Sequence, residues 1–273
     1  MRFLVITDHH LGRDRYTFNR GYSTAWALDR VLDAIGSAGA HGADFLLCTG
    51  DLVDSGNSEE YDFARSRFGI EAAGIAPGPL RITRRGLAGM PFYIIPGNHD
   101  PRDVWLDNLF PASPIERHLD LHWRVNKIAF AYLDLGSDGR AGILREASLQ
   151  TLDRLLEQGA PTILVLHHHP VPVGIPWLDR ALPAGIDRLW DRLKGGRVRA
   201  VLFGHAHTSV DQRIHGVPVL GTRSTCFQFA SSEQPTFVIQ PLQYRLIEID
   251  DDGLHTQLYE VPLTGTAKAS AVT

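Results

Sequence analysis

The sequence predicts an α/β fold in which two β-sheets lie between layers of helices. Over the first two thirds of the 273-residue chain, short apolar runs alternate with segments of helical periodicity, a pattern typical of an α/β core. From Thr208 onward, closely spaced short strands replace this alternation and indicate a second sheet packed against the first. We therefore expect one domain over residues 1–262, followed by a loose polar tail over 263–273.

The first half of the chain predicts three buried strands and two helices. Each predicted strand is an apolar run that stops at a polar or glycine-containing segment, and the first helix repeats apolar residues at three- and four-residue steps. The strands are expected over residues 2–6, 44–48 and 91–95, and the helices over 23–37 and 59–68. Residues 70–89 are rich in glycine, proline and arginine, and we interpret them as an excursion over the surface.

The second half begins with a predicted strand pair that turns near Asn126 and Lys127. A helix with regularly spaced leucines and a buried strand follow, then a mixed helical region, another strand and a C-terminal hairpin that turns at Asp251-Asp252-Gly253. The predicted ranges are 123–134 for the strand pair, 146–158 and 179–193 for the helices, 162–166 and 198–203 for the strands, and 244–261 for the hairpin.

The composition excludes several classes of protein. Hydrophobic residues make up 44% and charged residues 21% of the chain, which is ordinary for a globular protein and excludes a disordered chain or a coiled coil. A net charge of −4 argues against tight binding to nucleic-acid polymers. The longest apolar runs are too short to cross a membrane, and two cysteines cannot build a disulfide framework. We expect a cytoplasmic protein, with the β-rich end and residues 70–89 as candidate interfaces for a homo-oligomer.

Five polar clusters lie at predicted strand ends, and they hold many of the 13 histidines. Ligands of open α/β sheets collect at the carboxyl ends of the strands, so we expect these clusters to converge on one crevice. Packing alone gives no reason to place polar residues repeatedly at such positions. The clusters are Asp8-His9-His10, Gly50 to Asp54, Gly97 to Asp100, His167 to Pro170 and Gly204 to His207.

The residue types in these clusters predict a metal site. Asp, Asn and His without Cys form a mixed oxygen and nitrogen donor set, which suits Mn²⁺, Fe or Zn²⁺. Asp8 with His10, and His205 with His207, are each spaced to direct two side chains to one face of an extended segment. The candidate ligands are too many for one ion, and they fit a pair of metal ions about 3.5–4 Å apart with a bridging carboxylate.

The order Asp-x-His, Gly-Asp, Gly-Asn-His-Asp, His-x-Pro, Gly-His-x-His spans residues 8 to 207 and resembles the calcineurin-like metallophosphoesterase superfamily. Further stretches resemble the bacterial class III cyclic-nucleotide phosphodiesterases, which act on cyclic AMP. The resemblance implies a four-layer sandwich of two mixed β-sheets flanked by helices, and a binuclear metal centre. The segments that carry the closer resemblance are Leu166 to Pro170, Trp177 to Asp179, Ser224 to Phe229, Tyr244 to Leu246, and Asp252-Gly253.

The resemblance also implies a metal ligand at each motif. The His-x-Pro frame selects the middle residue of the triple histidine. The implied ligands are Asp8, His10 and His207 for the first metal, Asn98, His168 and His205 for the second, and Asp51 as the bridge between them.

The remaining motif residues receive catalytic and substrate-binding roles from the same resemblance. His99 would contact the phosphoryl oxygen or the leaving group, and Asp100 would hold the imidazole of His99 in place. Asn98 and His99 would contact substrate, together with His169 in the pocket wall. His167 would be a packed residue at the strand end.

Several residues outside the ligand set keep two interpretations. Asp54 either supports a ligand or belongs to a loop, and Trp177 and Phe229 either stack on a base or pack in the core. Asp134 either supports a ligand at the end of a strand or lies in a solvated turn, which we favour. The chain departs from the subgroup near the start of the first helix, at Ser23, and at 183–185, where relatives usually carry asparagine. Both positions are expected to face substrate, so these departures bear on the identity of the nucleotide.

The implied reaction is phosphodiester hydrolysis. Two cations acidify a water and generate hydroxide, which attacks phosphorus in line. The first candidate substrate is 3′,5′-cyclic AMP or another cyclic nucleotide. The alternative is a broad-specificity enzyme for glycerophosphodiesters, aryl phosphates or phosphonate esters, and a DNA nuclease or a non-catalytic scaffold ranks lower.

Overall fold

In the computed structural model, which describes residues 1–73, 77–113, 118–136 and 141–263, most strands belong to two six-stranded mixed sheets. In chain order the strands are β1 (Arg2–Ile6), β2 (Phe45–Cys48), β3 (Leu80–Arg81), β4 (Pro91–Ile94), β5 (Leu121–Val125), β6 (Ile128–Tyr132), β7 (Thr162–Val165), β8 (Val198–Phe203), β9 (Val210–Ile214), β10 (Val217–Gly221), β11 (Gln228–Phe229), β12 (Phe237–Val238), β13 (Leu242–Ile249) and β14 (Leu254–Val261). The first sheet has the order β14-β13-β1-β2-β4-β3, the second has the order β5-β6-β7-β8-β10-β9, and β11 and β12 form a separate hairpin.

Local sequence sets the ends of the helices. Ser23 precedes the first helix, and its hydroxyl accepts a hydrogen bond from the Trp26 amide. Asn57 caps the second helix in the same way, and Gly69 ends it at a φ of 62° that suits glycine. The helices are α1 (Thr24–Ser37), α2 (Ser58–Phe68), α3 (Arg102–Leu109), α4 (Glu146–Glu157), α5 (Pro176–Asp179) and α6 (Asp187–Leu193), with a 3₁₀ turn at Gly39–Gly42.

The two sheets pack face to face between two helical layers. Because alternate residues of a strand face opposite sides, Phe3 and Val5 enter the core between the sheets, whereas Leu4 and Ile6 pack with the helices on the outer face of the first sheet. Leu149 of α4 packs with residues of the second sheet in a third core cluster. The predicted four-layer α/β sandwich is confirmed, while a single domain over 1–262 stays a prediction.

The structure differs from the prediction in three places. Residues 70–89 are not a simple surface excursion, because Leu80, Ile82 and Leu87 are buried and β3 pairs with β4 at the sheet edge. Of the mixed helical region predicted over 179–193, only α6 (Asp187–Leu193) is helical beyond Asp179, where the short helix α5 ends, and α3 was not predicted. Residues 74–76 of the excursion and 264–273 of the predicted tail lie outside the described residues.

The parallel strands carry the polar clusters to one end of the sandwich. β1, β2 and β4 run parallel in the first sheet, and β6, β7, β8 and β10 run parallel in the second. Hydrogen bonds join the two sets of loops at this end: the His205 amide donates to the Asp8 carboxylate at 3.0 Å. The expected crevice therefore forms between the sheets.

Candidate metal centre

The first group of candidate ligands consists of Asp8, His10 and His207, all buried. Asp8 and His10 follow β1, and His207 follows β8. The Nε2 atoms of His10 and His207 lie 3.1 Å apart, and His207 Nε2 lies 3.5 Å from Asp8 Oδ1. This arrangement turns two imidazoles and one carboxylate toward a common point.

The second group consists of Asp51, His167 and His205, joined by Asn98. His167 Nε2 lies 3.3 Å from Asp51 Oδ2 and 2.9 Å from Asn98 Oδ1. His205 Nδ1 lies 2.7 Å from the same amide oxygen. The loops after β2, β4, β7 and β8 thus each contribute one side chain.

The Asp51 carboxylate lies between the two groups. Its Oδ2 atom is 3.5 Å from His10 Nε2 and 3.3 Å from His167 Nε2. Its Oδ1 atom accepts a hydrogen bond of 2.8 Å from the His99 amide, which fixes the plane of the carboxylate. One side chain is therefore in reach of both groups.

The backbone at the candidate ligands is unusual. Five of these non-glycine residues have a positive φ, between 45° and 64°, a left-handed conformation that costs an L-residue about 1–3 kcal/mol. They are Asp8, His10, Asp51, His205 and His207. Gly97 allows the close approach of these loops, because a Cβ there would lie 2.2 Å from Asp51 Oδ1. Gly204 has the same role, with Thr7 Oγ1 at 2.2 Å.

The titratable groups of the site are buried and lie close enough together to shift one another's pKa values. Burial raises the pKa of the Asp51 carboxyl, but the adjacent His167 imidazole outweighs burial and brings that pKa well below its ordinary value. Burial lowers the pKa of His167, and Asp51 then raises it to about 9. For His205, burial and the neighbouring histidines act together and lower the pKa well below its ordinary value.

The donor set fits metal ions. Within the described part of the chain, the buried Nε2 atom of His205 has no hydrogen-bond partner, which is costly unless a ligand meets it. The facing Nε2 atoms of His10 and His207 cannot both be satisfied as two lone pairs, whereas both can bind a cation. Carboxylate, amide and imidazole donors without thiolate match Mn, Fe or Zn.

The structure corrects the predicted ligand in the triple histidine. His167, and not His168, lies against Asp51 and Asn98, because its Nδ1 is held 2.9 Å from the Thr49 carbonyl oxygen and its ring points into the crevice. His168 lies with its Nδ1 close to Gly142 and its ring 4.7 Å from that of His205. The His-x-Pro frame points to His168, whereas the structure brings its neighbour His167 into the cluster, because side chains alternate along an extended segment.

The predicted partner of His99 is also corrected. Asp100 does not hold the His99 imidazole. Its carboxylate accepts hydrogen bonds from the Leu52 and Gly97 amides and from the Tyr61 hydroxyl, and so ties two ligand loops together. His99 Nδ1 lies instead 2.5 Å from the Asp54 carbonyl oxygen. Burial lowers the pKa of His99, but the Asp51 carboxylate outweighs burial and raises it.

His169 lies behind His205 rather than in a substrate-facing wall. It is fully buried, its ring stacks on that of His205 at 5.4 Å, and its Nε2 donates to the Leu178 carbonyl oxygen at 3.2 Å. Burial lowers the pKa of His169 to about 4, so the ring is neutral at pH 7.

A cavity of about 290 Å³ opens onto the metal-ligand groups, and it includes residues that the sequence did not identify. Asp54 contacts His10 Nδ1 at 3.2 Å and accepts a hydrogen bond from Asn19. The spacing Gly-Asp-x-x-Asp is a sequence signal for Asp54, which had two possible interpretations, whereas no motif includes Asn19. The two positions where the chain departs from the subgroup have structural contacts instead. Ser23 caps α1, and in the segment 183–185 the Ala184 carbonyl oxygen accepts a hydrogen bond from the Leu144 amide.

Comparisons with known proteins identify the family of the chain. The calcineurin-like phosphoesterase family model matches residues 1–209, and the chain belongs to this family. It is therefore a hydrolytic enzyme that uses divalent metal ions. Within the described ranges, no helix is long and apolar enough to cross a membrane.

Its relatives include bacterial phosphodiesterases. The 3′,5′-cyclic-nucleotide phosphodiesterase alr5338 of Nostoc sp. is 29% identical over 97% of this chain and 96% of its own length. The 3′,5′-cyclic adenosine monophosphate phosphodiesterase CpdA of Escherichia coli K12 is 30% identical over 94% of this chain and 88% of its own length. The solved structure of GAP50, the anchor in the inner membrane complex of Plasmodium, is similar with a TM-score of 0.62 and 15% identity, covers 96% of this chain and 85% of that chain, and supports the fold alone.

Proposed function

We propose that this protein is a binuclear-metal phosphodiesterase that hydrolyses small phosphodiesters, with 3′,5′-cyclic AMP as the first substrate. The observation that carries the proposal is the position of Asp51, whose carboxylate lies within 3.5 Å of imidazole nitrogens from both candidate ligand groups. The names of the relatives, which are phosphodiesterases for cyclic nucleotides, support the choice of substrate.

The proposed ligands follow from the two groups. Mn, Fe or Zn are the candidate ions, and two of them would acidify a water and stabilise charge on the phosphoryl oxygens. The proposed ligands are Asp8, His10 and His207 for one ion, Asn98, His167 and His205 for the other, and Asp51 for both.

His99 is the proposed proton donor to the leaving oxygen. It lines the cavity, and its Nδ1 is fixed against the Asp54 carbonyl oxygen, which leaves Nε2 as the atom that can face substrate. A protonated imidazole at this position would supply the proton that a general acid requires. Asn98 also lines the cavity and is proposed to contact substrate as well as metal.

The size of the cavity supports a small substrate. A volume of about 290 Å³ is at the lower end of the range for small-molecule sites, and the net charge of −4 disfavours a polyanionic partner. We therefore propose no nucleic-acid polymer and no membrane as partner. A cytoplasmic location and a homo-oligomer stay predictions.

A substrate panel tests the proposal. Metal-loaded protein is assayed on 3′,5′-cyclic AMP, 2′,3′-cyclic AMP, glycerophosphoethanolamine and bis-p-nitrophenyl phosphate, and kcat/KM should be highest for 3′,5′-cyclic AMP. Good turnover of the other diesters with negligible turnover of both cyclic nucleotides would favour the broad-specificity alternative. Salt-sensitive binding of duplex DNA would favour a nuclease.

Metal content and one variant separate an enzyme from a scaffold. Elemental analysis should find two metal ions per chain, and Asn98→Ala should abolish turnover. The matched control is Asn108→Ala on the surface of α3, which should leave turnover unchanged. A metal-replete wild-type protein that is inert on every substrate would support a non-catalytic scaffold.

A further inference from the structure

Aromatic side chains form a continuous wall from the metal ligands to the rim of the cavity. Phe229 stacks on His207 at 4.3 Å between ring centroids, and Trp177 and Phe237 meet Phe229 at 5.0 and 5.5 Å. We call Trp177, Phe229 and Phe237 the aromatic wall. All three line the cavity, so one edge of the wall touches a candidate ligand and the other reaches solvent.

The aromatic wall packs against the hydrophobic core but is not enclosed within it. Its three side chains are only partly buried, although other aromatic residues of similar size, such as Phe3 and Trp105, are fully buried. Phe229 and Phe237 come from β11 and β12, a hairpin with two residues in each strand that lies apart from the two large sheets. Aromatic surface left facing a cavity is typical of a ligand site.

A tight turn presents Arg20 against this wall. Asn19 and Tyr22 exchange two backbone hydrogen bonds of 2.9 Å, and Arg20 and Gly21 between them both have positive φ, the signature of a type I′ turn. The Asn19 side chain fastens the turn to Asp54. The Arg20 guanidinium lies 4.4 Å from the centroid of the Phe237 ring.

The Arg20 guanidinium is available for a ligand. Among the described residues, no carboxylate lies within the 4.0 Å of an ion pair with it, and the side chain is exposed at the cavity rim. The guanidinium covers one face of the Phe237 ring. Its outer face and the rest of the aromatic wall are surfaces on which a flat, electron-rich ring stacks well, and the N–H groups can donate to ring nitrogens or carbonyl oxygens.

We propose that the aromatic wall and Arg20 form a subsite for a nucleobase, next to the metal centre that takes the phosphate. This proposal rests on the proposed function and narrows it to phosphodiesters that carry a purine or pyrimidine ring. The wall supplies the stacking face, and Arg20 supplies hydrogen-bond donors to the edge of the base.

Binding of the whole product, AMP, compared with binding of phosphate alone, tests the base subsite apart from the metal centre. Metal-loaded wild-type protein and variants are titrated calorimetrically with AMP and with inorganic phosphate. Because stacking on one aromatic ring contributes about 1–3 kcal/mol, Phe237→Leu should weaken AMP binding by about 10-fold or more and leave phosphate binding unchanged. Arg20→Ala should act in the same direction, and Phe237→Tyr, which keeps the ring, should retain AMP binding.

Two matched controls come from the same loop. Phe18→Leu removes an exposed ring and Arg13→Ala an exposed cation, both outside the cavity lining, and neither should change either affinity. Unchanged AMP binding in Phe237→Leu, or equal weakening of AMP and phosphate, would overturn the subsite. Failure of wild-type protein to hydrolyse cyclic AMP would instead reject the proposed substrate, and the ratio of AMP to phosphate affinity would still report on the base subsite.

Discussion

The metal centre and the wall of the cavity are built in different ways. The candidate ligands lie within a few residues of strand ends, and most of them are buried with a strained backbone. In the aromatic wall, Trp177 lies on the short helix α5, and Phe229 and Phe237 lie in the hairpin of β11 and β12. A two-residue turn presents Arg20 beside them, and these side chains are partly buried or exposed. Rigid strand ends can hold reacting groups in fixed geometry, whereas loops can change with the substrate at little cost to the fold.

The largest effect is expected at the bridge between the two ligand groups. Asp51→Asn should lower kcat by about 10,000-fold, because it removes the proposed charged ligand of both ions and metal ions supply several kcal/mol to catalysis. Kinetic assay and elemental analysis check this, with exposed Asp252→Asn as control. Activity within 10-fold of wild type at full metal content would contradict the assignment.

The buried ion pair between Arg102 and Asp134 lies beside the loop that carries Asn98, and it should contribute strongly to the stability of the protein. Arg102 donates to both carboxylate oxygens of Asp134 and to the Gly97 and Asp100 carbonyls, so the pair anchors the loop that carries Asn98. Asp134→Asn should lower the free energy of unfolding at pH 7 by about 3–4 kcal/mol, measured by urea denaturation. Asp107→Asn, on the exposed side of α3, is the control.

The same pair gives a pH dependence with a defined sign. Burial raises the pKa of Asp134, but the Arg102 guanidinium outweighs burial and holds that pKa below its ordinary value of 3.8. The stabilisation is therefore fully present above about pH 5 and is lost as the pH falls below 4. The difference between wild type and Asp134→Asn should stay constant from pH 5 to 8, and a difference that shrinks within this range would contradict the ion pair.

The triple histidine allows two neighbouring variants to be compared. His167→Gln should lower kcat by about 100-fold and reduce metal content, whereas His168→Gln should cost less than about 10-fold, because only His167 lies against Asp51 and Asn98. His255→Gln at an exposed position is the control. The opposite order of effects would restore the ligand expected from the sequence.

The smallest effect is expected at Asn19, in the turn that presents Arg20 to the aromatic wall. Asn19→Ala removes the hydrogen bond that ties the turn to Asp54, and it should raise KM for cyclic AMP by about 10-fold with little change in metal content. Steady-state kinetics beside Asn108→Ala tests this. A loss of bound metal instead would show that the turn supports the ligands themselves.

The sequence predicted the metal centre better than the wall for a physical reason. Asp8, Asp51 and His205 follow apolar runs that can only be buried strands, so their convergence could be inferred from local pattern. The choice between His167 and His168 depends on which side of the chain faces the crevice, and an irregular segment after a strand does not reveal that. Asp134 shows the same limit: we expected a solvated turn, and the structure buries it against Arg102.

The aromatic wall and Arg20 are brought together by contacts between segments that are far apart in the sequence. Arg20 and Phe237 are more than 200 positions apart, and neither lies in a periodic pattern. The sequence allowed two interpretations of Trp177 and Phe229, core packing and base stacking. Only the fold shows that both side chains line the cavity. The left-handed backbone at the candidate ligands, with its positive φ, could not be predicted from the sequence either, because Asp and His do not mark such positions as glycine does.

The order of the first sheet has a consequence for how the protein is made. β1, which leads to Asp8, lies between β2 and β13, and the Ser224 hydroxyl donates to the Asp8 carbonyl oxygen across 216 positions of sequence. A ribosome releases the first of these segments long before the last. While the chain is being synthesised, Asp8 and His10 therefore stay without these supports until Ser224 and β13 have left the ribosome.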